Sequence, residues 1–134
     1  SQRVRLLGID TEESRTRDLT EKVYGKHAKK QILNWVTKAV ECDKDDCEIE
    51  LRCQERDAVG KYGRALGELW VFEDGIWTNV NKWMCEQGYA VPYVGQNKDD
   101  VKEQHMVNRR MLSDRGELII DETGAFLTSS SKTN

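Results

Sequence analysis

Apolar positions along this chain fall into short alternating runs and one long helical stripe. Val4 to Ile9 is short and rich in branched apolar residues, and it predicts a strand already under way at the first residue. Asp10 to Asp18 has no apolar side chain and predicts a solvated loop, a kind of segment that often carries function. From about Thr20 to Val40, Tyr24, Ala28, Ile32, Trp35 and Ala39 recur three or four residues apart, which predicts an amphipathic helix with Lys22, Lys26, Lys29 and Lys30 on its wet side. Cys47, Ile49, Leu51 and Cys53 alternate with Glu48, Glu50 and Arg52, so a strand is expected there, and another over Ala65 to Phe72. Gln54 to Tyr62 between them reads as a polar loop. Asp74-Gly75 signals a turn, after which Thr78 or Asn79 can cap a short helix that buries Val80, Trp83 and Met84 and stops at Gly88. Tyr89 to Val94 is extended around the single proline, Pro92, and Lys98 to Arg115 predicts a third helix with Val101, Met111 and Leu112 inward. Leu118 to Ile120 could add a strand, and Thr128 to Asn134 has the makeup of a frayed tail.

This order, with strands pairing around a helix and further helices packed at one end, predicts an α+β domain built on a barrel. At 134 residues the chain is one domain by length. The domain is expected over residues 1–116, with 117–134 a C-terminal extension or tail. Charged residues make up 34%, but four Trp, four Tyr and a supply of Val, Ile and Leu keep the chain out of the disordered class. A net charge of -3 argues against coating nucleic acid through bulk positive charge, so any polyanion must be met by a local patch. No apolar run approaches the roughly 18 residues needed to span a bilayer, and the first residues lack a signal-peptide core, so a soluble protein is expected. Cys42, Cys47, Cys53 and Cys85 could form a zinc cage or two disulfides, but no pair has the C-x2-C spacing of structural zinc; buried free thiols are the better reading, which favours a reducing, cytoplasmic compartment. Trp35, Trp70, Trp77 and Trp83 read as mainly core, and His27 and His105 as structural partners without a catalytic role.

The charges that border strands are the candidate chemistry. Arg5 lies within an apolar run, Asp10 and Glu13 follow at its exit, and Arg64 opens a later strand. A strand with one wet face would account for Arg5 without any function. If the four converge instead, the guanidinium groups can grip a phosphate bidentately and offset charge that grows on it. Asp10 can hold a hard cation through oxygen, and Glu13 can take a proton from an attacking water.

Arg5-Leu6-Leu7-Gly8-Ile9-Asp10-Thr11-Glu12-Glu13 and the stretch Asp57 to Leu66 resemble the staphylococcal nuclease family, as do Glu21 to Ala28, Asn79 to Ala90 and Glu103-Gln104-His105. These pieces stand in family order and cover about Arg3 to Arg115. The resemblance implies an OB-fold, a five-stranded β-barrel with three helices, and a Ca2+-dependent nuclease acting on DNA and/or RNA. It implies that Arg5 and Arg64 clamp phosphate, with Glu13 as general base. Asp10 is similar to a metal ligand, and Thr11 to a residue giving its carbonyl to the same ion. Lys61 and Tyr62 resemble residues that contact a terminal nucleotide phosphate, and Tyr93 is close to a tyrosine of the nucleotide pocket, with Gln96 where another would stand. Glu12 replaces the family's usual proline, adding charge and removing a rigid kink. The family's N-terminal hairpin, with an Asp-Gly-Asp-Thr ligand motif, has no counterpart here, so two strands and one ligand are expected to be missing and the metal bound weakly. Asp121 and Thr123 are similar to that motif only superficially. The missing strands motivate a homodimer through strand exchange. The alternative function is a non-catalytic OB-type module that binds nucleic acid or protein.

Overall fold

A computed structural model of the protein describes residues 3–42, 47–53 and 64–127, with residues 3–5 and 64–66 described by their backbone alone. The elements run β1 (Arg3–Leu6), β2 (Ile9–Asp10), α1 (Leu19–Val40), β3 (Glu48–Cys53), β4 (Arg64–Glu73), β5 (Ile76–Asn79), α2 (Val80–Glu86), β6 (Val91–Pro92) and α3 (Lys98–Asp114). Each helix begins on a polar cap. The side chains of Asp18, Asn79 and Asn97 accept from the backbone N–H of Glu21, Lys82 and Asp100 at 3.0, 3.2 and 2.8 Å, satisfying donors that the helix cannot pair internally. Asp99 and Asp100 add negative charge to the first turn of α3, where the helix dipole favours it.

Among the described residues the strands form two sheets and no closed five-stranded barrel. In the larger sheet, β4 pairs parallel with β1 and antiparallel with β3 and β5; β2 and β6 form a two-stranded sheet. The apolar run from Val4 to Ile9 is therefore two strands and not one. Gly8 breaks it at φ +75, a left-handed turn that a residue with a Cβ seldom adopts, and the chain crosses from one sheet to the other there. β5 follows directly from the Asp74-Gly75 turn and hairpins back onto β4.

The core lies between the larger sheet and the helices. Ile9, Ala28, Leu69, Val71, Val80, Met84 and Ala90 are buried together, with Ile32, Trp35, Val36 and Trp83 packed against them. Val80 and Met84 are fully enclosed, and burial of side chains of this size stabilises by about 1.5–3 kcal/mol each. Trp35 and Trp83 meet edge to face with centroids 5.4 Å apart. Trp70 and Trp77 are not core. β4 buries Leu69 and Val71, so alternation puts Trp70 on the opposite face, where the Arg52 guanidinium lies 4.1 Å from its ring and 5.0 Å from that of Trp77.

The cysteine expectation is corrected as well. Cys42 and Cys47 form a disulfide, Cys53 is exposed and only Cys85 is a half-buried thiol, which burial pushes up to about 11. β3 does alternate, but among the described residues its only partner strand is β4, and all six of its residues remain exposed. On α3, Leu112 is buried and Val101 half-buried, whereas Met111 is exposed.

Residues 117–127 fold back over α1 and α3. Ile120 bridges Phe126 in place of a full strand at 118–120. The Phe126 N–H donates to Thr20 Oγ1 at 3.0 Å, and its ring meets Tyr24 edge to face at 6.4 Å. No helix among the described residues is long and apolar enough to cross a membrane.

Candidate active site

The crossing at Gly8 is built around Asn81. This side chain is 3% exposed, and it donates from Nδ2 to the carbonyls of Leu7 (2.9 Å) and Gly67 (3.2 Å) while its Oδ1 accepts from Leu69 N–H at 3.1 Å. One buried amide thus ties β1, β4 and α2 together, and its loss would leave buried backbone groups unpaired. Beyond it, β2 pairs with β6 in the register Ile9 to Pro92 and Asp10 to Val91, and Tyr93 N–H donates to Gly8 O at 2.8 Å. Asp10 therefore leaves the strand at a defined point, with Tyr93, 44% exposed, alongside the Gly8 turn.

The loop after Asp10 is held by three long-range contacts. His105 Nε2 donates to Asp10 Oδ2 at 2.7 Å. Arg109, one turn further along α3, forms a two-pronged pair with Glu12, through Nε to Oε2 at 2.9 Å and through Nη2 to Oε1. On the other side, Gly25 of α1 lies so close that a Cβ there would stand 2.5 Å from the carbonyl carbon and oxygen of Glu13 and 2.6 Å from the Ser14 nitrogen. Glu12 and Arg109 are nearly closed off, their side chains 9% and 13% exposed. The hydrogen bonding to Glu12, which outweighs the effect of burial, raises the pKa of Arg109 above its ordinary value, so the guanidinium stays charged. The ring of Tyr24 lies 5.2 Å from Arg109, and burial pushes the Tyr24 phenol up to about 12 despite that cation. Thr11 is half-buried, and Glu13 is exposed with no hydrogen-bond or ion-pair partner among the described residues.

Arg5 and Arg64 lie on adjacent strands of the larger sheet. Register sets Arg3 opposite Arg64 and Arg5 opposite Leu66. Arg5 and Arg64 thus occupy positions of one face on adjacent strands, about 7 Å apart along the strand and about 5 Å across it by standard strand spacings. Lys61 and Tyr62 lie outside the described residues.

The sequence profile of the staphylococcal nuclease homologue family matches residues 3–112. The chain belongs to that family. No curated protein matches it. The family is one of nuclease and nucleic-acid-binding domains, typically phosphodiesterases, and the match takes in every element from β1 to most of α3.

Among the described residues no three His, Cys, Asp or Glu side chains converge as a metal cage. Asp10 and Thr11, adjacent at the end of β2, carry a carboxylate and a backbone carbonyl, hard oxygens of the kind that suits Ca2+ and not a soft metal. They fit such an ion chemically but supply few of its usual six to eight ligands, and Asp10 is shared with His105. Asp121 is not part of this set. Its Oδ1 accepts from Thr123 N–H, Thr123 Oγ1 and Ala125 N–H of its own turn, and those bonds hold it below the usual carboxylate range.

Sequence patterning missed His105 and Arg109 as loop partners, Asn81 as the tie at the crossing, and Gly25 as the seat of Glu13. The available signals were an i, i+4 His–Arg pair on one face of a helix and a glycine inside an otherwise regular helix.

Proposed function

We propose that this domain hydrolyses phosphodiester bonds of DNA and/or RNA. The observation that supports this best is the division of labour in the loop after β2. Glu12 is taken up by α3 through both of its oxygens, Asp10 is tied to α3 through Oδ2, and the Glu13 backbone is seated on Gly25, yet the Glu13 side chain is exposed and unpartnered among the described residues. A carboxylate left free on a braced loop suits a general base.

In this reading Glu13 takes a proton from water as the water oxygen bonds to phosphorus. The opposite P–O bond breaks, and the leaving oxygen departs with the bonding pair and is then protonated. Arg5 and Arg64 grip the phosphate and offset the charge that grows on its oxygens, with Arg64 also beside the leaving group. Asp10 and the Thr11 carbonyl would hold Ca2+, whose charge lowers the cost of bringing a nucleophile to the phosphate. Lys61 and Tyr62 contact a terminal phosphate, and Tyr93, exposed beside the Gly8 turn, contacts the nucleotide.

The test is cleavage of single-stranded DNA with Ca2+, with EDTA, and by Glu13→Gln. Cutting should require Ca2+ and fall by about 10²- to 10⁴-fold in Glu13→Gln. Undiminished cutting by Glu13→Gln removes Glu13 as the base. Binding without cleavage, by wild type and variant alike, replaces the enzyme with a non-catalytic nucleic-acid-binding module.

A further inference from the structure

We infer that the Glu12–Arg109 pair is a latch that orders the loop after β2 and thereby aims Glu13, making Arg109 a positioning residue for the reaction. The inference rests on the reading of Glu13 as general base. Arg109 lies 97 positions from Glu12 and reaches across from α3 to a residue adjacent to the proposed base. Its planar fork meets the carboxylate at two points, which fixes direction as well as distance.

The guanidinium is itself oriented from its other sides. It lies against the Tyr24 ring at 5.2 Å, and its Nη1 donates to Gly124 O at 3.4 Å and contacts Met106 Sδ at 3.6 Å. His105, four residues earlier on α3, holds Asp10 at 2.7 Å, so one helix face grips the loop at alternate positions, 10 and 12. Such a pair is more than an exposed ion pair, because both partners are nearly closed off and each would otherwise be a buried, uncompensated charge. A loop freed at Glu12 would let the adjacent carboxylate wander, and a misplacement of about 1 Å at a reacting group costs on the order of 10²-fold in rate.

The experiment compares wild type, Arg109→Met, Arg109→Lys and the exchanged pair Glu12→Arg with Arg109→Glu, by steady-state cleavage and by hydrogen exchange across residues 11–17. In Arg109→Met, kcat should fall by about 10- to 100-fold with KM changed less than about threefold. Exchange of residues 11–17 should quicken while that of β4 and α2 stays as in wild type. Arg109→Lys keeps the charge without the fork and should fall between, which retains the test if the methionine variant does not fold. The exchanged pair should recover most of both readouts. Unchanged exchange in Arg109→Met and Arg109→Lys overturns the latch, and so does quickened exchange with kcat intact. A wild-type chain that cuts nothing fails the nuclease reading separately, and the exchange data still decide whether this pair orders the loop.

Discussion

A methyl group at Gly25 would act in two opposing directions. Within a helix, alanine is favoured over glycine by about 1 kcal/mol. The same methyl would stand 2.5 Å from the Glu13 carbonyl, well inside van der Waals contact, and against backbone atoms that cannot rotate away. Overpacking of this kind costs about 1–3 kcal/mol, so the clash should win and push the loop off the helix. Gly25→Ala is therefore expected to lower stability by about 1 kcal/mol and to reduce cleavage more than that loss alone explains, as thermal unfolding and kcat will show. A variant with a higher Tm and full activity would mean that the loop is not seated on α1. Asn81 and Gly25 share a logic: each lets backbone approach backbone, one by pairing its polar groups and the other by having no side chain.

At the scale of elements, Glu117 joins the segment after α3 to the rest of the fold. Its Oε2 accepts from His27 Nε2 at 2.6 Å and Tyr89 Oη at 2.5 Å, and its Oε1 accepts from Arg115 Nε at 3.1 Å. Burial alone would raise its pKa, but the hydrogen bonds from His27, Tyr89 and Arg115 together outweigh it and leave the carboxyl below its ordinary 4.5. A carboxyl depressed in the folded state stabilises fully above its unfolded pKa, and the contribution fades as pH falls through the folded value. Wild type should therefore exceed Glu117→Gln in Tm near neutrality, and the two curves should converge below about pH 4; parallel curves would deny the carboxylate this role. α1 was legible because Tyr24, Ala28, Ile32 and Trp35 repeat over many turns. The split of Val4 to Ile9 was not, since alternation carries no record of which sheet each half joins. The alternation of β3 named a strand but not its burial, which needs a covering layer that the sequence does not specify locally. In the site, Arg5, Asp10 and Glu13 stood out as charges at a strand's edge. His105 and Arg109 did not, because their partners lie 95 and 97 positions away and no local period reports such a pairing.

For the molecule as a whole, the net charge of -3 means that attraction to a polyanion must be local. Single-stranded nucleic acid loses affinity with a log–log salt slope of about -0.7 per neutralised phosphate. If Arg5 and Arg64 supply the main contacts, about two phosphates are met and the slope is about -1.4, so raising salt fourfold should weaken binding about sevenfold. A protein that coats the strand through about eight contacts would lose on the order of 10³-fold over the same range. The expectation is that KM for single-stranded DNA rises about sevenfold from 50 to 200 mM salt while kcat holds nearly constant, and that Arg64→Met halves the slope. The lysines of α1 supply the contrasting outcome. Lys26, Lys29 and Lys30 are exposed on one helix, and a slope several times steeper, flattened by their substitution and not by Arg64→Met, would move the electrostatic contact from the sheet to α1. Nucleic acid would then be held by the lysines of α1 and not by the two arginines, and the phosphate clamp would have to be sought elsewhere than on β1 and β4.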